Sequence, residues 1–205
     1  NSKDDMYLST TYRYGQELVD ISSEFILKNE EQTIKNIKSV KHLNNPIEMC
    51  EYERTEEYKK INELVHKIYN ENSNYKILIL ARTNKCLEEL AKSEFFTKGI
   101  EDVLICKDLP DARIEALTMH RSKGLTADQV IVFGLREKVF PSKNRTSHWI
   151  FEYFKLDSIT EKIPYAEERR LFYVALTRTR NKVYLVVPNN RNSKSEFVNE
   201  IEKMI

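Results

Sequence analysis

The sequence has 205 residues, a formal net charge of +1 and 40% hydrophobic residues, which is enough for one domain with a substantial core. Because the charge is almost balanced, the composition excludes nucleic-acid binding by the field of the whole molecule, and any such contact must come from a local basic patch. No apolar run approaches the length of a membrane span, and the first thirty residues lack the apolar core of a signal peptide, so we expect no membrane contact.

The cysteines Cys50, Cys86 and Cys106 are scattered and form no CxxC motif. An odd number without metal-ligand spacing predicts reduced thiols in a cytoplasmic protein, and no metal site. Cys106 is interpreted as a small core residue. The chain begins with Asn1 and not with methionine, so we expect it to be a piece of a larger protein.

The N-terminal segment predicts a short strand over residues 6–10 and a helix over residues 15–27. Arg13 lies between them. Because open α/β folds bind ligands at the carboxyl edge of the sheet, an arginine in this connection is a candidate ligand for an anion. An ordinary surface arginine explains the same pattern. Residues 28–45 are polar and are expected to form a solvated excursion.

The middle of the chain alternates strand and helix patterns. We predict strands over 47–52, 76–81, 102–107, 114–119 and 129–133, and helices over 54–72 and from 85 to about 95. The polar residues Arg82, Thr83 and Asn84 directly follow a continuously apolar strand, a position where α/β proteins bind ligands. Asn84 is also the preferred residue type for a helix N-cap, and the two roles are compatible.

A second polar segment follows the strand at residues 114–119. Two basic side chains, an imidazole and a hydroxyl lie in the sequence His120-Arg121-Ser122-Lys123-Gly124. Gly124 allows the backbone a conformation and a close approach that other residues do not. Such a loop suits phosphate oxygens, either of DNA or of a nucleotide. A lysine-rich turn with a hydrogen-bonded histidine is the alternative.

The segment 136–165 is irregular, and its aromatic residues either stack bases or seal the loop onto the domain. The last part of the chain predicts a helix from Ala166, a strand over 183–187 and a final helix over 193–205. Arg178 continues the apolar stripe of the first helix, so its guanidinium must leave the core at an edge and face an anion. Alternatively, Arg178 only caps the last helical carbonyls.

Together these patterns predict an α/β fold with a mostly parallel sheet and helices on both faces. We expect the loops of Arg13, Arg82 and Lys123 and the end of the Arg178 helix to meet at one edge. The sequence has no GxxxxGK[ST] motif and no convincing acid pair for Mg²⁺, so this chain alone should not hydrolyse ATP.

Four segments, TTYRYG, LILARTN, TMHRSKGLTADQVIVFGL and EERRLFYVALTRTR, resemble motifs of UvrD/Rep-type superfamily 1 DNA helicases. The resemblance covers residues 1–205 and identifies them as similar to the second RecA-like motor domain. A short connection, residues 85–113, replaces the large accessory insertion, so the chain is nearer to helicase IV-like members.

The resemblance implies roles for individual residues. Arg13 and Arg178 would reach the γ-phosphate of ATP as catalytic arginines. The nucleotide would also meet Lys123, Gly124, Thr126 and Asp128; Thr126 replaces a usual glutamate. Single-stranded or forked DNA would contact Arg82, Thr83, Asn84, Thr118, His120, Arg121 and Ser122.

The resemblance also implies ATP with Mg²⁺ bound mainly by an N-terminal P-loop domain of the same polypeptide, and 3′-to-5′ movement on DNA, as in DNA repair. Two other readings stay open. One is a non-enzymatic DNA- or protein-binding module that keeps the fold. The other is a stand-alone small-molecule enzyme, for which the sequence offers no nucleophile and base.

Overall fold

The computed structural model describes residues 10–29, 36–142 and 165–205. The elements of these residues in chain order are β1 (Thr10–Thr11), α1 (Gln16–Leu27), β2 (Lys38–Ser39), β3 (Ile47–Tyr52), α2 (Glu57–Glu71), β4 (Lys76–Ala81), α3 (Asn84–Ala91), β5 (Phe96–Lys98), β6 (Leu104–Cys106), β7 (Arg113–Thr118), β8 (Ala127–Val132), α4 (Ala166–Leu176), β9 (Thr179–Pro188), a 3₁₀ helix (Arg191–Ser193) and α5 (Glu196–Ile201).

Five of these strands form one parallel sheet in the order β3-β9-β8-β4-β7. The central strands are apolar on both faces, as parallel strands covered by helices must be. In β4, for example, Ile77 through Ala81 are all buried. The predicted α/β fold with a RecA-like, mostly parallel sheet is therefore confirmed.

Helices cover both faces of this sheet, and each face has its own core. On one face α1, α4 and α5 surround an aromatic cluster in which Phe25, Phe172 and Phe197 meet edge-to-face or stacked, with ring centroids 5.3–6.1 Å apart. On the other face α2 and α3 pack against the odd-numbered residues of β4, such as Ile77 and Ile79. Within the described residues no helix is long and apolar enough to cross a membrane.

Two short pieces depart from the expected layout. The strand predicted over 102–107 is only β6, and it does not join the parallel sheet. It pairs antiparallel with β5, a strand that the sequence pattern assigned to no element. Helix α3, predicted to extend to about residue 95, ends at Ala91, before β5 begins. Likewise β1 pairs with no strand other than β2 among the described residues, so the segment that carries Arg13 lies outside the main sheet.

The predicted irregular segment 136–165 lies mostly outside the described residues, and its aromatic side chains with it. The predicted N-terminal strand over residues 6–10 is outside them except for its last residue.

Candidate functional site at two edges of the sheet

A cleft of about 580 Å³ opens beside the amino end of β9. Its walls come from four parts of the chain: the segment around β1, the residue before β2, the residue before β8, and the connection from α4 to β9. The lining residues are Thr10, Thr11, Tyr12, Arg13, Tyr14, Ile37, Thr126, Tyr173, Thr177, Arg178 and Arg180. Arg13 and Arg178, 165 positions apart in the sequence, therefore meet in one cleft.

The carbonyl end of α4 holds both arginines. Arg178 lies just beyond the helix, and its Nε donates to the Val174 carbonyl at 2.9 Å while Nη1 donates to the Leu125 carbonyl at 3.4 Å. Arg13 donates through Nη1 to the Thr177 carbonyl at 3.3 Å. Helix capping by Arg178, the simpler of the two interpretations, is thus present. It does not account for a second arginine beside the first.

Within the described residues the structure pairs neither Arg13 nor Arg178 with a carboxylate. Five of the other described arginines have such partners, namely Arg82, Arg121, Arg136, Arg169 and Arg180, and the remaining described arginines, which show none, are exposed, namely Arg54, Arg113, Arg170 and Arg191. Burial and the positive charge of Arg13 lower the pKa of Arg178 from its usual value. Two adjacent guanidinium groups without a counter-charge leave an uncompensated positive field that an anion would neutralise.

The remaining residues predicted to bind nucleotide are dispersed. Thr126 lines the cleft. Asp128 does not line it, because its carboxylate accepts from the Lys76 backbone N–H at 2.9 Å and pairs with Arg180 at 3.1 Å. Lys123 and Gly124 are exposed and also lie outside the lining. Gly124 has φ +86°, a conformation that glycine adopts without strain.

Arg82 lies at the opposite, carboxyl edge of the sheet, directly after β4. Its guanidinium forms a bidentate ion pair with Glu168 in the first turn of α4, with N–O distances of 2.7–2.9 Å. The Glu168 carboxylate also accepts from the Ser142 N–H at 3.2 Å. This arginine, predicted to contact DNA, is thus already neutralised by a carboxylate whose side chain is only 10% exposed.

The prediction that Asn84 caps α3 is wrong. Thr83 is the N-cap, and its Oγ1 accepts from the Cys86 N–H at 3.4 Å. Both Thr83 and Asn84 are exposed at this edge. The predicted cap is one residue too late. Threonine and asparagine both serve as N-caps and are adjacent in this sequence, so the residue types alone do not distinguish them.

The loop after β7 lies at the same carboxyl edge. Arg121 pairs bidentately with Asp102 at 2.7–2.9 Å, and His120 lies 3.8 Å from Glu167. Thr118 is buried. Ser122 is fully buried, and its hydroxyl donates to the Met119 carbonyl at 2.7 Å. The predicted DNA contact of Ser122 is therefore not supported, because its hydroxyl is used inside the turn.

The expectation that all the basic loops meet at one edge is wrong. Arg82 and Arg121 follow strands at the carboxyl edge, whereas Arg178 precedes β9 and Thr126 precedes β8 at the amino edge. Six-residue strands separate the two edges by about 20 Å. Arg13 joins the amino-edge group because β1 lies outside the main sheet, so the rule for carboxyl edges does not apply to it.

Several residues of both groups were missing from the sequence-based prediction. Tyr14, Tyr173 and Thr177 line the cleft, and burial raises the pKa of the Tyr14 hydroxyl. Glu168 and Asp102 neutralise the arginines of the carboxyl edge. No local pattern pairs Glu168 with a residue 86 positions away, since such a contact exists only after the sheet forms.

Comparisons with known proteins give a consistent picture. Residues 98–190 match the family described as UvrD-like helicase C-terminal domain. The chain is 31% identical over 200 residues to DNA helicase IV of Escherichia coli, an alignment that covers 96% of this chain and 26% of that protein. It is 35% identical over 130 residues to a probable DNA helicase of Mycoplasma pneumoniae, covering 61% of this chain and 21% of that protein.

The ATP-dependent DNA helicase PcrA of Bacillus subtilis is 33% identical over 96 residues, which cover 43% of this chain and 11% of PcrA. The chain thus spans about a quarter, or less, of the length of these curated relatives. Among solved structures, the C-terminal domain of a possible DNA helicase from Lactobacillus plantarum WCFS1 superposes with a TM-score of 0.56 at 16% identity. That superposition covers 93% of this chain and 94% of the other, and it supports the fold alone.

Proposed function

The chain carries a UvrD-like helicase C-terminal domain, and from this premise we propose that it is the second motor half of an ATP-dependent DNA helicase or translocase. In this proposal Arg13 and Arg178 complete a nucleotide pocket whose P-loop belongs to an N-terminal domain of the same polypeptide. The exposed carboxyl edge contacts single-stranded DNA. The chain alone is then inactive, because it lacks the P-loop motif.

One observation carries the proposal: two arginines from opposite ends of the chain line one cleft, and the described residues give neither a carboxylate partner. Bringing two like charges together costs free energy, and against it the fold sets only carbonyl oxygens with partial negative charge. A polyphosphate would recover it, because its oxygens accept hydrogen bonds from both guanidinium groups. The cleft is thus suited to the terminal phosphates of a nucleotide presented by another domain.

ATP supplies the γ-phosphoryl group, and the transfer of this group to water drives a motor of this kind. The residues of this chain that fit it are Arg13 and Arg178, which balance negative charge, and Thr126 and Arg180 on the cleft wall. The described residues offer no acid pair at the cleft for Mg²⁺, since Asp128 is engaged by Arg180 and Lys76. We therefore assign Mg²⁺ to the N-terminal domain.

At the carboxyl edge we assign DNA contact to exposed residues. Thr83 and Asn84 begin α3, and His120 and Arg121 follow β7, so they form one polar surface between neighbouring strands. Arg82 contributes mainly by holding α4 in place through Glu168. Opening and closing of the cleft would move this surface along one strand, 3′ to 5′.

The test is Arg178→Ala in the full-length protein, with DNA-stimulated ATP hydrolysis and DNA binding measured separately. An arginine that stabilises a transferring phosphoryl group is worth about 1000-fold or more in rate, so hydrolysis should fall by that factor while DNA affinity changes little. Arg180→Ala is the matched control. Arg180 lines the same cleft but is paired with Asp128 and half exposed, so its loss should lower hydrolysis far less.

Undiminished hydrolysis by Arg178→Ala would overturn the assignment of the cleft. Equal losses in the two variants would mean that the cleft needs positive charge in general and not Arg178 in particular. If the full-length protein hydrolyses no ATP at all but binds DNA, the chain is instead part of a non-enzymatic binding module.

A further inference from the structure

A cluster of side chains with metal-ligand chemistry lies far from the cleft, between α2 and the β5–β6 hairpin. The ligand atoms of His66, Cys106 and Asp108 all lie within 4.8 Å of one another. Nε2 of His66 is 3.0 Å from Oδ2 of Asp108, and Sγ of Cys106 is 2.9 Å from Oδ1 of the same carboxylate. Asn62 adds an amide oxygen 3.1 Å from the sulfur.

The fold holds these groups together from two separate elements. Asn62 and His66 are four residues apart on α2, so they project from the same side of the helix. Cys106 ends β6, and Asp108 lies in the following turn, which the Leu109 N–H closes by donating to the Cys106 carbonyl at 3.2 Å. The cluster therefore joins the helix to the hairpin.

We propose that His66, Cys106 and Asp108 bind one Zn²⁺ ion, with the Asn62 amide oxygen or water in the fourth position. A thiolate, an imidazole and a carboxylate form a donor set that Zn²⁺ accepts, whereas Mg²⁺ and Ca²⁺ take oxygen ligands. Bonds of about 2.0–2.3 Å in a tetrahedron place neighbouring ligand atoms about 3.3–3.8 Å apart. The two direct contacts are 2.9 and 3.0 Å and all three ligand atoms lie within 4.8 Å of one another, so side-chain movements of about 1 Å would bring them to these distances.

Binding exchanges protons for the ion. Without metal the Cys106 thiol donates to the Asp108 carboxylate at 2.9 Å. When Zn²⁺ binds, the S–H bond breaks, a zinc–sulfur bond forms, and the proton leaves to solvent. His66 then carries its proton on Nδ1 and presents Nε2 to the ion. The Asp108 oxygens, freed from accepting the thiol proton, become ligands.

Solvent can reach the cluster from one side. The Asp108 side chain is 56% exposed and that of His66 is 37% exposed, whereas Cys106 is fully buried. An ion can therefore enter past the carboxylate and be fixed by the buried sulfur. Because the ligands come from separate elements, the ion would bind the folded chain in preference to the unfolded one and stabilise it.

Co²⁺, which replaces Zn²⁺ in such sites and absorbs light, is the probe. Titrating this chain with Co²⁺ should give one equivalent of binding, visible bands of a tetrahedral ion and a thiolate-to-cobalt charge-transfer band in the near ultraviolet, all removed by Zn²⁺. Cys106→Ala should remove the charge-transfer band. His66→Gln and Asp108→Asn should each weaken binding by at least about 100-fold, since losing even a side chain that only hydrogen-bonds to a metal ligand lowers metal affinity by about 10- to 100-fold.

Cys86→Ala is the matched control, because Cys86 is a free thiol outside the cluster and its loss should change none of these signals. Circular dichroism of each variant checks the fold, and His66→Gln and Asp108→Asn change partly exposed side chains that need not unfold the chain. Absence of the charge-transfer band, its persistence in Cys106→Ala, or binding only at millimolar Co²⁺ would each overturn the proposal.

Discussion

Removing the Arg82 side chain tests whether this residue serves the fold or DNA. In Arg82→Ala, the Glu168 carboxylate loses three hydrogen bonds of 2.7–2.9 Å and keeps the one from the Ser142 N–H at 3.2 Å. The side chain of Glu168 is 10% exposed and that of Arg82 is 23% exposed, so water can only partly replace the lost partner. The nearly buried Glu168 carboxylate is then left with one hydrogen bond and no positive partner.

The magnitude follows from this burial. Removing one partner of a buried ion pair lowers the free energy of unfolding by about 3–5 kcal/mol. Because Arg82 is partly exposed, we expect a loss near the lower limit, about 3 kcal/mol. For a chain of this size, each kcal/mol lowers Tm by about 2–4 °C. We therefore expect Arg82→Ala to melt about 6–12 °C below the wild type.

Urea and thermal unfolding of three variants measure the effect. Arg121→Ala is the matched control, because Arg121 forms the same bidentate pair with Asp102 but is 60% exposed, so its loss should cost less than about 1 kcal/mol. The double variant Arg82→Met with Glu168→Gln removes the charge on both sides and should recover most of the stability.

Equal destabilisation by Arg82→Ala and Arg121→Ala would refute this reasoning, since burial is the difference from which the larger cost of losing Arg82 is predicted. So would a double variant no more stable than Arg82→Ala. If Arg82→Ala is instead as stable as the wild type but binds single-stranded DNA weakly, Arg82 serves DNA directly and the Glu168 pair is incidental.

Two further predictions concern the helix cap and acid stability. Thr83→Ala should lower the free energy of unfolding by about 1 kcal/mol through loss of the α3 cap, whereas Asn84→Ala should change it little; equal effects in urea titrations would restore Asn84 as the cap. Burial alone would raise the pKa of Glu200, but the hydrogen bond and charge of Arg169 outweigh it and hold that pKa below its usual value. The stabilisation that the ionised Glu200 carboxylate contributes is therefore fully present at pH values above the ordinary glutamate pKa, and it is lost as the pH falls through the lowered pKa of Glu200. The stability difference between wild type and Glu200→Gln should be largest near neutral pH and shrink below about pH 4, and a difference that grows with acid would contradict the assigned direction.

Periodicity located most of the parallel sheet, because a strand covered by helices on both faces must be apolar along its length. The strands at residues 47–52 and 76–81 have the bounds predicted from the sequence. The β5–β6 hairpin was not anticipated. Its three-residue strands are too short to show an alternating pattern, and Phe95 continues the helical spacing of Leu87 and Ala91 in α3.

The site was harder to predict than the fold, for a geometric reason. The sequence predicted that Arg13 and Arg178 face an anion, which stays a prediction, and the structure brings the two residues into one cleft. It could not indicate which edge of the sheet each loop occupies, because that depends on β1 leaving the main sheet. The carboxylate partners were equally hidden, since Glu168 and Asp102 pair with arginines on other elements.

The two edges of the sheet are nevertheless connected by one rigid element. Helix α4 has 11 residues, about 16 Å of rise, which is close to the length of the strands that it crosses. Its first turn holds Arg82 through Glu168, and its last carbonyls hold Arg178. Between these ends Phe172 and Ala175 are fully buried, so the helix cannot shift at one end without repacking its core face. A ligand that moves Arg82 must therefore either break the Glu168 pair or displace the helix that positions Arg178. The same helix thus fixes the distance between the proposed DNA surface and the proposed nucleotide cleft.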